Sequence, residues 1–329
     1  MTNPARLYLP LLVHDQEQVR RQAATILLAT YGDRALTYLR RLLDDPLPDI
    51  AEQARTALAL VGAVSGLRVE LRPFRGIYVR CLGTLQVFFD SRELLAQDWS
   101  ARESGRAGAR KVQGIFAYLV HCGRRGASRR AIGSAVWGSE VSAVSLSRTL
   151  GSLRSIIAEL SSPELAERAL RIERDHCTLT PDCYHSDADL FERTFDLACD
   201  RENHDGLASA ASLYQQALGL YDGPYMIAVP RGSDWGRERR DLLMNNYLIA
   251  IERLAELAYQ SGNDYKCIAL CQQGLQIDPS ADDITVWLLH AYRRLGLSVD
   301  LESSFQRYLR ALGTPPAPGD PVVREMNNA

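Results

Sequence analysis

Between residues 100 and 160 the chain carries ten basic residues: Arg102, Arg106, Arg110, Lys111, Arg124, Arg125, Arg129, Arg130, Arg148 and Arg154. Only three acids, Glu103, Glu140 and Glu159, stand among them, in a protein of 329 residues whose net charge is −2. A local cationic surplus neutralises phosphate, and phosphate neutralisation dominates affinity for nucleic acid. The overall balance excludes a uniformly basic, histone-like binder, so the charge has to act as a patch. A second group, His176, Cys177, Cys183, His185, Asp187 and Asp189, holds metal-capable side chains close together. Their spacing fits no zinc pattern, and strand and loop are expected there, with no metal and no cofactor. The chain has no GxxxxGK[ST], GxSxG, HExxH or GxGxxG signature, so an enzyme is not expected.

Seven cysteines, with no CxxC among them, read as reduced and mostly buried thiols. The first residues form only a short apolar run, broken at His14 and Asp15, and no stretch reaches the ~18 apolar residues of a membrane span. A cytoplasmic protein without a membrane partner is the expectation.

The elements that position the basic residues follow from periodicity. Val112, Ile115, Phe116 and Leu119 share one helix face, and Arg110 and Lys111 open that helix. Ser128 is placed to cap a second helix, with Ile132, Ala135, Val136 and Trp137 apolar, Arg129 and Arg130 at its head and Gly138 at its end. A third helix spans about Val144 to Leu160, with Leu146, Leu150, Leu153 and Ile157 on its apolar face. Leu170-x-Ile172 and Cys177-x-Leu179 read as a hairpin around Arg174, Asp175 and His176. Ahead of the helices, residues 67–90 concentrate β-branched and aromatic side chains, as in Ile77-x-Val79 and Leu85-x-Val87, and read as two or three short strands broken at Gly83. Strands, three helices and a hairpin, in that order, predict a winged helix with an added N-terminal sheet over 67–185.

In such a fold the third helix lies in the major groove. With its core face fixed, ~100° per residue directs Arg148, Ser152 and Ser155 outward, flanked by Ser145 and Thr149. Arg148 is the candidate for bidentate contact with guanine O6 and N7. The serines suit phosphates or water bridges. Arg154 lies nearer the core side, where a backbone contact or a structural ion pair is expected. Arg174 or His176 at the wing tip is placed either for the minor groove or as an exposed turn. Gly151, in mid-helix, costs about 1 kcal/mol relative to alanine, and it suits close approach to DNA or to a neighbouring helix.

The flanks read as helical repeats. In residues 1–66, Val19-x-x-x-Ala23-x-x-x-Leu27 and Ile50-x-x-x-Ala54-x-x-x-Leu58 echo one another, with Gly32 and Gly62 as expected stops. The pattern is HEAT-like, but its spacing is shorter than the usual ~40–47 residues, and two units are too few to stand alone. This segment is expected to pack on the rest of the chain or on a partner. From Ser186 onward, Leu254 and Leu288, Ala258 and Tyr292, Gly262 and Gly296, Cys271 and Phe305, and Leu275 and Leu309 are each 34 apart, the tetratricopeptide period. Residues 186–314 are therefore expected to form a repeat domain with Leu254, Ala258, Leu275, Leu288 and Tyr292 buried and Trp235 packed inward. Residues 315–329 are expected to form a flexible tail. The fold class is mainly α: HEAT-like helices, a winged helix with a small antiparallel β-sheet, then a tetratricopeptide-type α-solenoid.

About three quarters of the chain, residues 77–318, resembles the SARP-type bacterial transcriptional regulators. Ile77-Tyr78-Val79-Arg80-Cys81-Leu82-Gly83 looks like their opening strand. Arg110-Lys111, Ser128-Arg129, Ala135-Val136-Trp137-Gly138, Leu153-Arg154 and Asp189-Leu190-Phe191 match in order. So do Tyr221-Asp222-Gly223-Pro224-Tyr225, Asp234-Trp235, Arg239-Arg240, Leu242 and, later, Asp278-Pro279, Tyr308 and Leu312-Gly313. The chain departs from the family at His176-Cys177, where a Gly-Tyr is common, at Gly151-Ser152, where Ser-Arg is common, and in its HEAT-like start. The resemblance implies a sequence-specific DNA-binding regulator, an activator, with promoter DNA on the winged helix and RNA polymerase or another protein on the repeats. A second copy, as a homodimer, is a further candidate partner. The alternative is a helical-repeat adaptor or ligand sensor whose winged helix is degenerate and does not bind DNA. The thin basic content of the third helix favours that alternative, and the bases of the first two helices oppose it.

Overall fold

Short amphipathic helices of the kind read above need partners to bury their apolar stripes, and the fold supplies them in two units. A computed structural model describes residues 3–32, 34–45, 47–65, 76–89, 92–99, 106–229 and 232–327. One unit comprises Met1–Phe191 and Gly219–Leu243, the other Glu192–Leu218 and Met244–Ala329.

In the first unit, helices α1 (Ala5–Leu12), α2 (Glu17–Tyr31), α3 (Arg34–Arg41) and α4 (Pro48–Ser65) share one core of Leu9, Leu12, Ala24, Leu27, Leu39, Ala54, Leu58 and Val61. Of the repeated apolar positions, Ala23, Leu27, Ala54 and Leu58 lie in that core and Ile50 packs against it. Gly32 ends α2 with φ +55°. Gly62 does not end α4, which continues to Ser65. Gly62 is buried within that helix. Contacts among the described residues join the segment to the rest of its unit. A Cβ on Gly32 would collide with the Gly219 carbonyl. Arg34 reaches Asp222 at 2.6 Å, and Asp222 also pairs with the buried Arg80. The Arg41 guanidinium stands 5.1 Å over the Phe88 ring.

Strands β1 (Ile77–Arg80), β2 (Gln86–Phe89) and β3 (Arg92–Glu93) follow. The part of the predicted strand region at 67–75 lies outside the described residues. Next come α5 (Arg106–Cys122), β4 (Ala127–Ser128), α6 (Arg129–Trp137), α7 (Ala143–Leu160), α8 (Pro163–Ala169), β5 (Leu170–Ile172), β6 (His176–Leu179) and β7 (Tyr184–Ser186). The strands form two sheets where one small antiparallel unit was expected. One is antiparallel, in the order β4-β6-β5, and contains the predicted hairpin. The other has the order β3-β2-β1-β7, and β7 runs parallel to β1, with Ile77 opposite Tyr184 and Val79 opposite Ser186. Three residues reading Tyr-His-Ser carry too little alternation to signal a strand, and the partner lies about a hundred residues earlier. Only the closed fold brings them together. Helix α8 also went unanticipated, although Ser162 caps it by accepting from Leu165 N at 3.1 Å and Pro163 opens it.

Helices α9 (Asp187–Asp205), α10 (Leu207–Leu220), α11 (Arg237–Gln260), α12 (Asp264–Ile277), α13 (Asp282–Arg294) and α14 (Ser298–Leu312) complete the repeats. In the second unit Leu254, Ala258, Cys271, Leu288 and Tyr292 are buried, and Leu275 is half-buried. Gly262 and Gly296 occupy equivalent left-handed turns, φ +74° and +70°, which fixes the 34-residue repeat physically. The segment expected to be a flexible tail instead contains α15 (Pro321–Asn327). Asp320 caps it at Val322 N and Val323 N, Val322 is fully buried beside Leu289 and Tyr308, and Arg293 pairs with Glu325. Its Pro-rich lead obscured an apolar face that only α13 and α14 can cover.

Candidate nucleic-acid interface

Helix α7 is held at both ends and along one side. Ser142 caps it, accepting from Ser145 N at 3.2 Å. Leu146, Leu150, Leu153, Ile156 and Ile157 are all buried. Helices α5 and α8 pack on it. The buried stripe leaves a defined outer face. Arg148, Ser145 and Ser155 are exposed there, and Thr149 and Ser152 are half-buried at its margins. Thr149 and Ser152 turn their hydroxyls back onto the helix, donating to Ser145 O at 2.8 Å and Arg148 O at 3.2 Å. The Ser145 hydroxyl is paired with Ser142 Oγ at 3.0 Å. Arg148 is thus the long polar side chain standing outward in the middle of this face.

The other predicted contacts divide into outward and structural ones. Arg110 on α5, Arg130 on α6 and Arg174 in the β5–β6 turn are exposed. Arg124 and Arg125 at the α5 end are exposed as well. Lys111 faces inward: its ammonium donates to Val136 O at 2.9 Å and sits 5.2 Å from the Trp137 ring centroid, fixing the end of α6 to α5. Arg129 donates to Ser147 Oγ at 2.9 Å, tying α6 to α7, while its backbone N–H donates to Asp175 O at 3.0 Å in the wing turn. Arg154 donates to Leu170 O at 2.9 Å and clamps α7 to β5. His176 is engaged with Arg125 O at 2.8 Å.

The metal-capable run from His176 to Asp189 is also taken up by structure. Buried Asp187 accepts from the backbone N–H of Cys81 at 2.7 Å, of Leu82 at 3.1 Å and of Ala188 at 2.8 Å. Burial, and then the Asp187 carboxylate, push the Cys81 thiol well up from its ordinary value. Asp189 pairs with Arg239 at 2.6 Å. Among the described residues no three His, Cys, Asp or Glu groups gather to hold a metal, and no helix is long and apolar enough to cross a membrane.

The stretch around Tyr225 and Trp235 packs on α5. Trp235, half-buried, stands 5.3 Å from the Tyr118 ring and 4.8 Å from the His121 ring. Arg239 lies 5.1 Å over Tyr225, whose N-terminal neighbours close on β1 through Gly83 N–Pro224 O at 3.2 Å. Burial, and then Arg239 and Arg125, hold the His121 imidazole down at about 4. Sequence reasoning missed one residue of the outer face. Val144, in the first turn of α7, is 69% exposed. It lies four residues before Arg148 and off the buried stripe, so the same helix wheel that singled out Arg148 contained it.

A capped, outward-facing helix between two basic helices and a β-wing, followed by helical repeats, defines a winged-helix protein with a repeat domain. Residues 186–319 match the family model of the bacterial transcriptional activator domain. The match covers the repeat domain, and the winged helix stands ahead of it, the order of elements that a resemblance to SARP-type regulators implies. Among solved structures it is similar to Mycobacterium tuberculosis EmbR in complex with a low-affinity phosphopeptide, with a TM-score of 0.60 and 17% identity over 77% of this chain. At that identity the likeness is one of fold, and the present chain spans 64% of that protein's length. No curated protein matches it.

Proposed function

We propose that the chain is a sequence-specific DNA-binding transcriptional regulator acting as an activator in the cytoplasm. On this reading α7 enters the major groove of promoter DNA, and the repeats engage RNA polymerase or another protein. The domain division is 1–66 for the HEAT-like segment, 67–185 for the winged helix and 186–314 for the activator domain. One observation carries the reading: Arg148 stands exposed at the centre of the outer face of α7, and exposed Arg110, Arg130 and Arg174 come from α5, α6 and the wing turn. Arg148 reads a base edge, and the other three meet phosphates. Lys111, Arg129 and Arg154 hold the reading head in shape, as their hydrogen bonds dictate.

Fluorescence anisotropy of the full chain on a promoter fragment and on a scrambled duplex, across a salt series, tests this. Each phosphate contact contributes about −0.9 to the slope of log K against log salt, so three contacts give a slope of roughly −3. The promoter fragment should bind at least tenfold more tightly than the scrambled one. Equal, weak binding to both duplexes would instead leave the helical-repeat adaptor as the function.

A further inference from the structure

Glycine inside a helix needs a reason, because it is the poorest helix former after proline. Two helical glycines of this chain have an internal one. A Cβ on Gly133 would meet Val141 Cγ1 at 2.9 Å, and one on Gly274 would meet Ile284 Cδ1 at 2.7 Å. Gly151 is different. It sits in the middle of α7, it is exposed, and a Cβ built on it meets nothing within 4 Å. Its φ lies outside the left-handed region, so the backbone does not demand glycine either. Among the described residues nothing accounts for the missing side chain.

The residue's place on the helix supplies a reason from outside. Val144, Arg148, Gly151 and Ser155 are spaced by four, three and four residues and form one stripe along the outer face. The stripe begins with a 69% exposed valine, an apolar side chain with no core to join. It continues with the exposed Arg148 guanidinium and then reaches the bare backbone at Gly151. An apolar group suits the thymine 5-methyl, and a guanidinium fork suits guanine O6 and N7. Four residues of helix advance ~6 Å, about the rise of two base pairs, so both edges can be met by one helix in one groove.

Resting on the DNA-binding reading above, we propose that Gly151 sets the depth at which α7 seats in the major groove, allowing Arg148 to reach a guanine and Val144 to reach a thymine methyl one or two base pairs away. Gly151 acts as a positioning residue: it lets the helix backbone approach the duplex, and a methyl group there holds the helix out. The bases read are then a G·C pair and a nearby T·A pair, oriented by the direction of α7.

The test uses the full chain and the duplex it retains from a randomised double-stranded library. Gly151→Ala improves helix propensity, so its melting temperature stays equal or rises by about 2 °C. Its affinity for the retained duplex should fall at least tenfold, while its affinity for a scrambled duplex stays unchanged. Opposite movements of stability and specific affinity are what an external close approach requires. Replacing the conserved thymine of the retained duplex by deoxyuridine removes only the 5-methyl group. It should weaken the wild type at least threefold and leave Val144→Ala unaffected. Affinity of Gly151→Ala within twofold of wild type overturns the proposal, as does a loss of affinity accompanied by a lower melting temperature. A wild-type chain that retains no sequence overturns the DNA-binding reading itself, and this inference falls with it.

Discussion

Arg148→Ala and Arg154→Ala, six residues apart on one helix, should fail in opposite ways. The Arg148 side chain is exposed. A bidentate arginine–guanine pair is worth about 1–3 kcal/mol of discrimination, so its loss should weaken binding to the cognate duplex by about 5- to 150-fold. Binding to a scrambled duplex should change far less, and the melting temperature should not move. Arg154 donates instead to the carbonyl of fully buried Leu170 at 2.9 Å. A hydrogen bond from a charged donor contributes about 1.5–3 kcal/mol, and its removal leaves a buried acceptor without that donor. Arg154→Ala should therefore lower the melting temperature by about 3–10 °C. At a temperature where it remains folded, it should keep the ratio of cognate to scrambled affinity. Anisotropy on both duplexes, together with thermal melts followed by circular dichroism, reads all four quantities. The assignment of roles is wrong if Arg148→Ala weakens both duplexes equally. It is equally wrong if Arg154→Ala abolishes discrimination at an unchanged melting temperature.

Three further outcomes are expected. His121 is held neutral in the folded chain down to about 4, whereas the unfolded chain protonates it near its ordinary 6.5. The unfolded state therefore binds more protons between those values, and stability contributed by this residue is present above about 6.5 and lost as the pH falls towards 4. Urea midpoints at pH 7 and pH 5 should differ less in His121→Gln than in the wild type, and an identical difference would refute the assignment. Leu288→Ala removes a side chain only 1% exposed on α13 and should destabilise by about 2–5 kcal/mol, read from denaturant unfolding of the second unit. Gly32→Val places a branched side chain where φ is +55° and the Gly219 backbone is in contact. Limited proteolysis should then cleave residues 1–65 faster than in the wild type, and unchanged protection would show that this junction does not hold the segment.

Much of the architecture was written in local sequence. The stripes of α5, α6 and α7, the Ser128 cap, the Gly138 stop and the 34-residue spacing of Gly262 and Gly296 are each decided within one or two helical turns, or by one left-handed residue. So was the outward direction of Arg148, because the opposite side of the same helix had to be buried. What sequence could not decide were the partners of long polar side chains. Lys111, Arg129 and Arg154 look like further phosphate contacts in a charge count. Yet their ends reach Val136 O, Ser147 Oγ and Leu170 O, acceptors set in place by neighbouring elements. The parallel pairing of β7 with β1 and the cover that α13 and α14 give Val322 are likewise contacts between distant stretches of chain. The same holds for Gly151. Its cost to the helix was visible in the sequence, but that no described residue comes within reach of a side chain there appeared only once α5, α6 and α8 had taken their places around α7. Periodicity fixes which way a residue points along its own helix. What it meets at that distance depends on elements whose positions are set by packing.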